Sequence, residues 1–320
     1  MRALELQAAE GPEGMAVVDR PAPDGDGQVT IDVRAAGVSF PDLLMSRGRY
    51  QLRPELPAVL GSEVAGTVRS APPGHPLHVG DRVWAAMELG GFAEIAAAPA
   101  DRVFPLPDAL SFEEGASLGV NFLTAVFALH RRGALCAGET VLALGAAGGL
   151  GTATIAVARA LGAHVIAVVS REEKAATART AGADEVVVGT GWREEVLELT
   201  GGRGVDVVAD VVGGPETLAA VRTTAPEGRV LVLGFTAGEI PSITTNRLLL
   251  RNVSLVGAGL GALAATVPDL LGETAAELRR LLDAGLRPVV GATMPLEEGA
   301  DAIRRLEERA AQGKIVLTFG

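Results

Sequence analysis

Cysteine is almost missing. Cys136 is the single one in 320 residues, so neither a disulfide framework nor a cysteine-built zinc site can form within the chain. Lysine is nearly as scarce: Lys174 and Lys314 are the only two among 28 basic residues, and the rest are arginine. Aromatic residues make up 3% of the chain and Tyr50 is its one tyrosine, so a role that needs a phenol has one candidate. No apolar run reaches membrane-spanning length without polar interruption, and MRALELQAAEGPEG lacks a secretory pattern. No membrane partner and a cytoplasmic location are expected. Basic charge is in deficit, and a formal net charge of −11 argues against a nucleic-acid partner. The four histidines, His75, His78, His130 and His164, fall into no metal-ligand spacing and read as surface or packing residues.

What is present is apolar material for two cores, 48% of the chain, at a length that favours two domains. The chain is organised around Glu139–Lys174. A buried strand (Val141 to Leu144) runs into a glycine turn (Gly145, Gly148, Gly149, Gly151), then a helix carrying Ile155, Val157, Ala158 and Leu161. A second buried strand follows, His164 to Val169. A strand that feeds a glycine turn opening a helix sets unpaired backbone N–H groups and a positive helix end where a pyrophosphate can bind. The spacing is G-x-x-G-G-x-G, and no Gly-Lys-Ser/Thr follows, which excludes a Walker-type phosphate loop. A tight turn whose glycines serve packing alone ranks below dinucleotide binding, because of how the second strand ends. It ends in Ser170-Arg171, with Lys174 one helical turn on. An NAD-preferring site has an acidic side chain there to hold the ribose 2′-hydroxyl. A hydroxyl and two cations suit a 2′-phosphate instead, so NADPH is the expected cofactor, with Glu172 and Glu173 on the solvated face.

Residues 1–118 read as β-rich: short strands at Leu4–Leu6, Met15–Val18, Val29–Val33, Ala65–Val68 and Arg82–Ala86, broken by clusters such as PAPDGDG. From Ser111 the texture becomes alternating helix and strand. Ser111 and Glu114 form a capping-box pair for a helix through SFEEGASLGVNFLTAVFALHRRG. Further strands are expected at Glu185–Val188, Val205–Ala209, Arg229–Leu233 and Val253–Val256, separated by helices Arg193–Leu199, Pro215–Thr223 and Asn246–Arg251. This is the element list of a doubly wound parallel sheet, in which ligands bind at the carboxyl ends of the strands. A helix Val267–Leu282 follows. The tail, with a helix Glu297–Ala311 and a strand Lys314–Phe319, returns to the β-rich character of the first part.

Several stretches, AAGVSFPDLLMSRGRYQ, LGSEVAG, VGDRVWA, GAAGGLG, AGAD, GGRGVDVVADVVGG and GKIVL, agree in order and spacing with one family from end to end. The chain resembles the zinc-free quinone oxidoreductases of the medium-chain dehydrogenase/reductase superfamily, the zeta-crystallin-like group. The resemblance implies an α/β protein: a GroES-like β-rich catalytic domain (1–118 and 286–320) and a Rossmann cofactor domain (119–285). It implies hydride transfer from NADPH to a small electrophilic acceptor, a quinone or an α,β-unsaturated carbonyl. Zinc-dependent relatives carry metal-binding cysteine, histidine and cysteine where this chain has Ser39, Ser62 and Val120, so no metal is expected.

The same resemblance puts Ala147, Gly148, Gly149 and Leu150 on the pyrophosphate and Ser170, Arg171 and Lys174 on the 2′-phosphate. Phe40, Thr124 and the Gly234, Phe235, Thr236 backbone fall near the nicotinamide, with a core role for Thr124 the alternative. Tyr50 matches a family tyrosine and is a candidate donor to the substrate oxygen, with packing at the rim of the site equally open. Ser39 stands where the family has asparagine, Asp42 either orients it or caps a helix, and Leu44 replaces a frequent tyrosine. Asn246-Arg247 and Gly259-Leu260 are expected to line the site, and Lys314 to lie in a solvated turn, with an approach to the cofactor the alternative. Two alternatives stand beside the quinone or enone reductase. One is an enoyl-thioester reductase, for which Arg47, Arg49 and Arg53 would supply a basic path; the other is a non-catalytic NADPH-binding protein. A homodimer is expected, paired through edge strands near Val253–Gly257.

Overall fold

A computed structural model describes residues 1–320, which divide into two compact units, Met1–Asn121 with Val290–Gly320 and Phe122–Val289. In the first unit β1 (Arg2–Leu6) and β2 (Met15–Asp19) are antiparallel neighbours. The eleven-residue β3 (Gln28–Val38) then carries the chain into the short helix α1 (Phe40–Ser46). Only the first half of β3 is legible as a strand, because AAGV is small and lacks polar alternation. It is held by pairing on both sides. Next come β4 (Ala58–Val59), β5 (Glu63–Ser70), β6 (Arg82–Ala86), β7 (Ile95–Pro99) and β8 (Val103–Pro105).

Helix α2 (Phe112–Gly115) is capped as expected: Ser111 N–H donates to Glu114 Oε2 at 2.8 Å, and Glu114 N–H to Ser111 Oγ at 3.2 Å. The helix expected to continue unbroken does not. It passes through a π-helical turn (Leu118–Phe122), α3 (Leu123–Val126) and a second π-helical stretch (Phe127–Arg132). Such wide turns gather at functional sites.

The second unit is built on a six-stranded, all-parallel sheet. Its elements in order are β9 (Thr140–Leu144), α4 (Gly149–Ala160), β10 (His164–Val169), α5 (Ala175–Thr180), β11 (Glu185–Val188), α6 (Trp192–Leu199), β12 (Val205–Asp210), α7 (Pro215–Thr223), β13 (Thr224–Val232), α8 (Asn246–Arg251) and β14 (Ser254–Gly257). Helices α9 (Leu260–Ala264) and α10 (Leu270–Asp283) close the unit. The sheet order is β11-β10-β9-β12-β13-β14, the doubly wound arrangement. Val141–Leu144 and Val165–Val169 are buried throughout, as central strands covered on both faces must be. The order reverses between β9 and β12, so the glycine turn after β9 lies at the switch point.

The chain then returns to the first unit with β15 (Val290–Pro295), α11 (Gly299–Glu307) and β16 (Lys314–Thr318). β16 lies antiparallel on the far half of β3, Ile315 opposite Val38, completing a sheet ordered β15-β16-β3-β5-β6-β8 with β7 on the near half of β3. Leu4, Ile31, Leu60, Val64, Phe92 and Leu317 fill its core. No helix is long and apolar enough to cross a membrane.

Candidate active site and cofactor loop

In the second unit the three glycine roles of a dinucleotide turn separate cleanly. Gly145 ends β9 at φ +64°, and a Cβ there would fall 2.7 Å from Val211 Cγ2. Gly151 allows α4 to press onto the turn, since its Cβ would lie 2.3 Å from Gly145 O. At Gly148 the nearest atom to an added Cβ is Gly145 O, 3.8 Å away in ordinary contact, so packing does not require that glycine. It is the N-cap of α4, which has no side-chain cap and no acidic residue in its first turn. A bare twelve-residue helix start behind such a glycine fits a pyrophosphate.

Just past the end of β10, Ser170 and Arg171 are exposed, as are Glu172 and Glu173. Arg171 Nε is 3.1 Å from Glu173 Oε1. Lys174 differs from its neighbours: it is only 9% exposed at the end of a 3₁₀ turn, so it is folded inward while Ser170 and Arg171 face solvent. Thr124 is half-buried on α3. The half-buried Gly234–Thr236 loop is tied to the end of β12, with Thr236 N–H donating to Val211 O at 3.1 Å.

The first unit holds a buried polar cluster. Ser39 and Asp42 are the N-cap and third residue of α1, and Ser39 N–H donates to Asp42 Oδ2 at 2.8 Å. Asp42 is fully buried and also accepts from Gly61 N–H at 3.3 Å. Burial pushes its carboxyl up to about 7, against the pull of these N–H groups and of the Lys314 charge. Ser39 Oγ donates to Glu63 Oε1 at 2.9 Å and accepts from Lys314 Nζ at 2.6 Å. Lys314 Nζ also donates to Glu63 Oε1, and Glu63 Oε2 accepts from Val120 N–H at 2.8 Å.

Lys314 is therefore not in a solvated turn, as the sequence suggested; it is 2% exposed and pairs with a Glu63 that is 1% exposed. Local sequence reads a lysine after Gln-Gly as surface, but β16 begins on it and pairs with the far half of β3, which sets it beside Ser39. Glu63 is not among the residues that the sequence singles out for the site, although a charge opening the apolar run EVAGTV is a signal. The scarcity of lysine in an arginine-rich chain is the other.

Tyr50 is half-buried, and burial, with the Asp42 charge second, raises its phenol above the ordinary range. Phe40 and Tyr50 pack against the core of the unit. Arg47 is spent on Glu307 and Glu10 O, which leaves Arg49 and Arg53 as the other cations of that stretch. No group of three histidine, cysteine, aspartate or glutamate side chains is placed to hold a metal ion.

Residues 25–108 match the family described as Alcohol dehydrogenase GroES-like domain, and residues 149–276 match Zinc-binding dehydrogenase. Quinone oxidoreductase-like protein 2 of Bos taurus is 36% identical over 304 residues, covering 93% of this chain and 87% of the relative. The chain belongs to the quinone oxidoreductase group of the medium-chain dehydrogenase/reductase superfamily. Among solved structures, a probable oxidoreductase from Mycobacterium abscessus is 45% identical to this oxidoreductase, with TM-score 0.90 and coverage of 100% and 99%. The quinone oxidoreductase from Thermus thermophilus, whose NADPH complex is also solved, is 37% identical over the whole of both chains, with TM-score 0.84. The GroES-like and Rossmann halves expected from the sequence are those of this group.

Proposed function

We propose that this chain is an NADPH-dependent, zinc-independent reductase of a quinone or an α,β-unsaturated carbonyl. The observation that carries the reading is the bare start of α4 at Gly148, followed just past the end of the next strand by Ser170 and Arg171 rather than an acidic residue. Gly148, Gly149 and Leu150 would hold the pyrophosphate, and Ser170 and Arg171 the 2′-phosphate. The NADPH complex of the Thermus thermophilus relative supports the choice of nucleotide. Zinc independence rests on donor chemistry: Ser39 already binds an ammonium, and Val120 has no ligand atom in its side chain.

The nicotinamide supplies the hydride when bound. The protein's part is to meet the charge that builds on the acceptor oxygen. Tyr50 is the residue for this. A phenol is protonated through neutral pH, and burial shifts this one further in the same direction, so it donates a hydrogen bond rather than repelling the oxygen. The test is NADPH oxidation with a para-quinone, an ortho-quinone, an alkyl enone and crotonyl-coenzyme A. Turnover on the first three, with Tyr50→Phe lowering kcat roughly 10²-fold, is expected. Turnover on the thioester alone would make the chain an enoyl-thioester reductase, and tight NADPH binding without turnover would make it a binding protein.

Arg171→Ala should weaken NADPH about tenfold while leaving NADH nearly unchanged, because only the former loses a charge-assisted bond. Equal losses in titrations of both nucleotides would remove the 2′-phosphate assignment.

Assembly follows from the edge of the second unit's sheet. β14 ends it with a burial pattern that is mostly exposed, and Leu249 and Leu250 on α8 are 74% and 77% exposed. An uncharged, unpaired edge beside bare leucines needs a cover, and a second copy related by a two-fold axis supplies the same edge in return. Light scattering should give twice the 32.7 kDa chain mass, and Leu249→Glu with Leu250→Glu should shift it toward the monomer.

A further inference from the structure

Tyr50 and the cofactor loop leave a buried ion pair without a task. Lys314 and Glu63 join three stretches that are far apart in sequence: Ser39 at the junction of β3 and α1, Val120 in the π-helical turn, and the start of β16. The backbone is shaped around the pair. A Cβ on Gly37 would fall 2.7 Å from Lys314 Cε and 2.8 Å from Glu63 Cδ, and one on Gly119 would fall 2.9 Å from Glu63 Cβ.

Stability does not account for such a pair. The desolvation of two ions offsets most of their attraction, and apolar replacements of the same volume are often as stable. What an ion pair does supply is direction. Nζ reaches Ser39 Oγ and Glu63 Oε1 together, while the other carboxylate oxygen holds the Val120 N–H. An apolar core would let these three stretches slide. Arginine, used at 26 other positions, would bring a planar fork where the space admits a compact ammonium.

We infer that Lys314 and Glu63 are positioning residues of the reductase: they hold Ser39, and with it the start of α1, in the register that the reaction requires. This rests on the reductase reading, in which α1 contributes Phe40 and leads to Tyr50. Because the pair acts through α1, its loss lowers kcat and leaves the nucleotide site of the second unit unchanged.

The experiment compares wild type, the double variant Glu63→Gln with Lys314→Met, and Ser39→Ala, with the full chain throughout. The double variant removes both charges of the pair together, and Ser39→Ala leaves the ion pair whole while deleting its link to α1. Both should retain a wild-type-like melting temperature and NADPH Kd, while kcat falls about tenfold to a hundredfold, the usual result of misplacing a reacting group. A folded double variant, or a folded Ser39→Ala, with wild-type kcat overturns the inference and leaves the reductase reading standing. A wild type that turns over no acceptor overturns the reading itself, and the inference with it. A fall in kcat matched by an equal weakening of NADPH also overturns it, since the effect would then be global.

Discussion

Lys314→Met alone is expected to destabilise the first unit by about 3–5 kcal/mol, the usual result of leaving a buried charge without its partner. The melting temperature should drop by roughly 10 °C. The cost comes less from the lost attraction than from what remains: Glu63 is 1% exposed, and Lys314 is the cation bonded to it. Adding Glu63→Gln should recover most of the loss, because the amide carries no charge and still accepts from the Val120 N–H. The check is a double-mutant cycle in urea, followed by the fluorescence of Trp84, which is buried in the same unit. Additive losses from the two substitutions would mean that the pair is not coupled. The cycle reads stability, whereas the role in catalysis is read from kcat, so the two outcomes are independent.

The second large effect is a pH dependence centred on Asp42. Its carboxyl is raised from an unfolded value near 3.8 to about 7 by burial, despite the opposing N–H groups of Ser39 and Gly61 and the Lys314 charge, while Glu63 reinforces the shift. Across that window the folded chain keeps a proton that the unfolded chain has released. Stability should therefore be greatest at the acid end and fall as pH rises from about 4 to 7, by on the order of 4 kcal/mol from this one group. The direction is opposite to that of the usual salt-bridged aspartate. Asp42→Asn should lose about 1 kcal/mol at pH 4, where it gives up one acceptor oxygen. It should nonetheless be the more stable form at pH 8, with the slope between flattened. A slope that persists unchanged in Asp42→Asn would assign the dependence to other groups. Because Asp42 also bears on Tyr50, the same variant should lower the phenol pKa, which a spectrophotometric titration of the single tyrosine would report.

The second unit was the more legible half, for a physical reason. Central strands of a parallel sheet are covered on both faces, so Val141–Leu144 and His164–Val169 stand out as apolar runs with no alternation to mislead. Helices Pro215–Thr223 and Asn246–Arg251 are bounded by glycine and by left-handed Asn252, local signals that hold regardless of tertiary context. The glycine turn was equally local, since φ and close approach are demands on single residues. The tail sequence suggests a helix over Glu297–Ala311, longer than the observed Gly299–Glu307, because a polar helix end and a polar loop share a composition.

Local sequence was enough for the doubly wound sheet, the glycine turn, the cap at Ser111 and the change of texture between the halves. Each depends on dihedral preference or on the period of apolar residues, and both are written within a dozen neighbouring positions. Tertiary structure alone decided which charged residues are buried. Lys314 lies 251 positions from Glu63 and 275 from Ser39, and nothing near Gly313 marks it as anything but a turn. It meets them because β16 pairs with the far half of β3, and that pairing is a long-range contact no local pattern encodes. The inward fold of Lys174 was decided in the same way. A charged side chain's environment is set by what the rest of the chain brings to it.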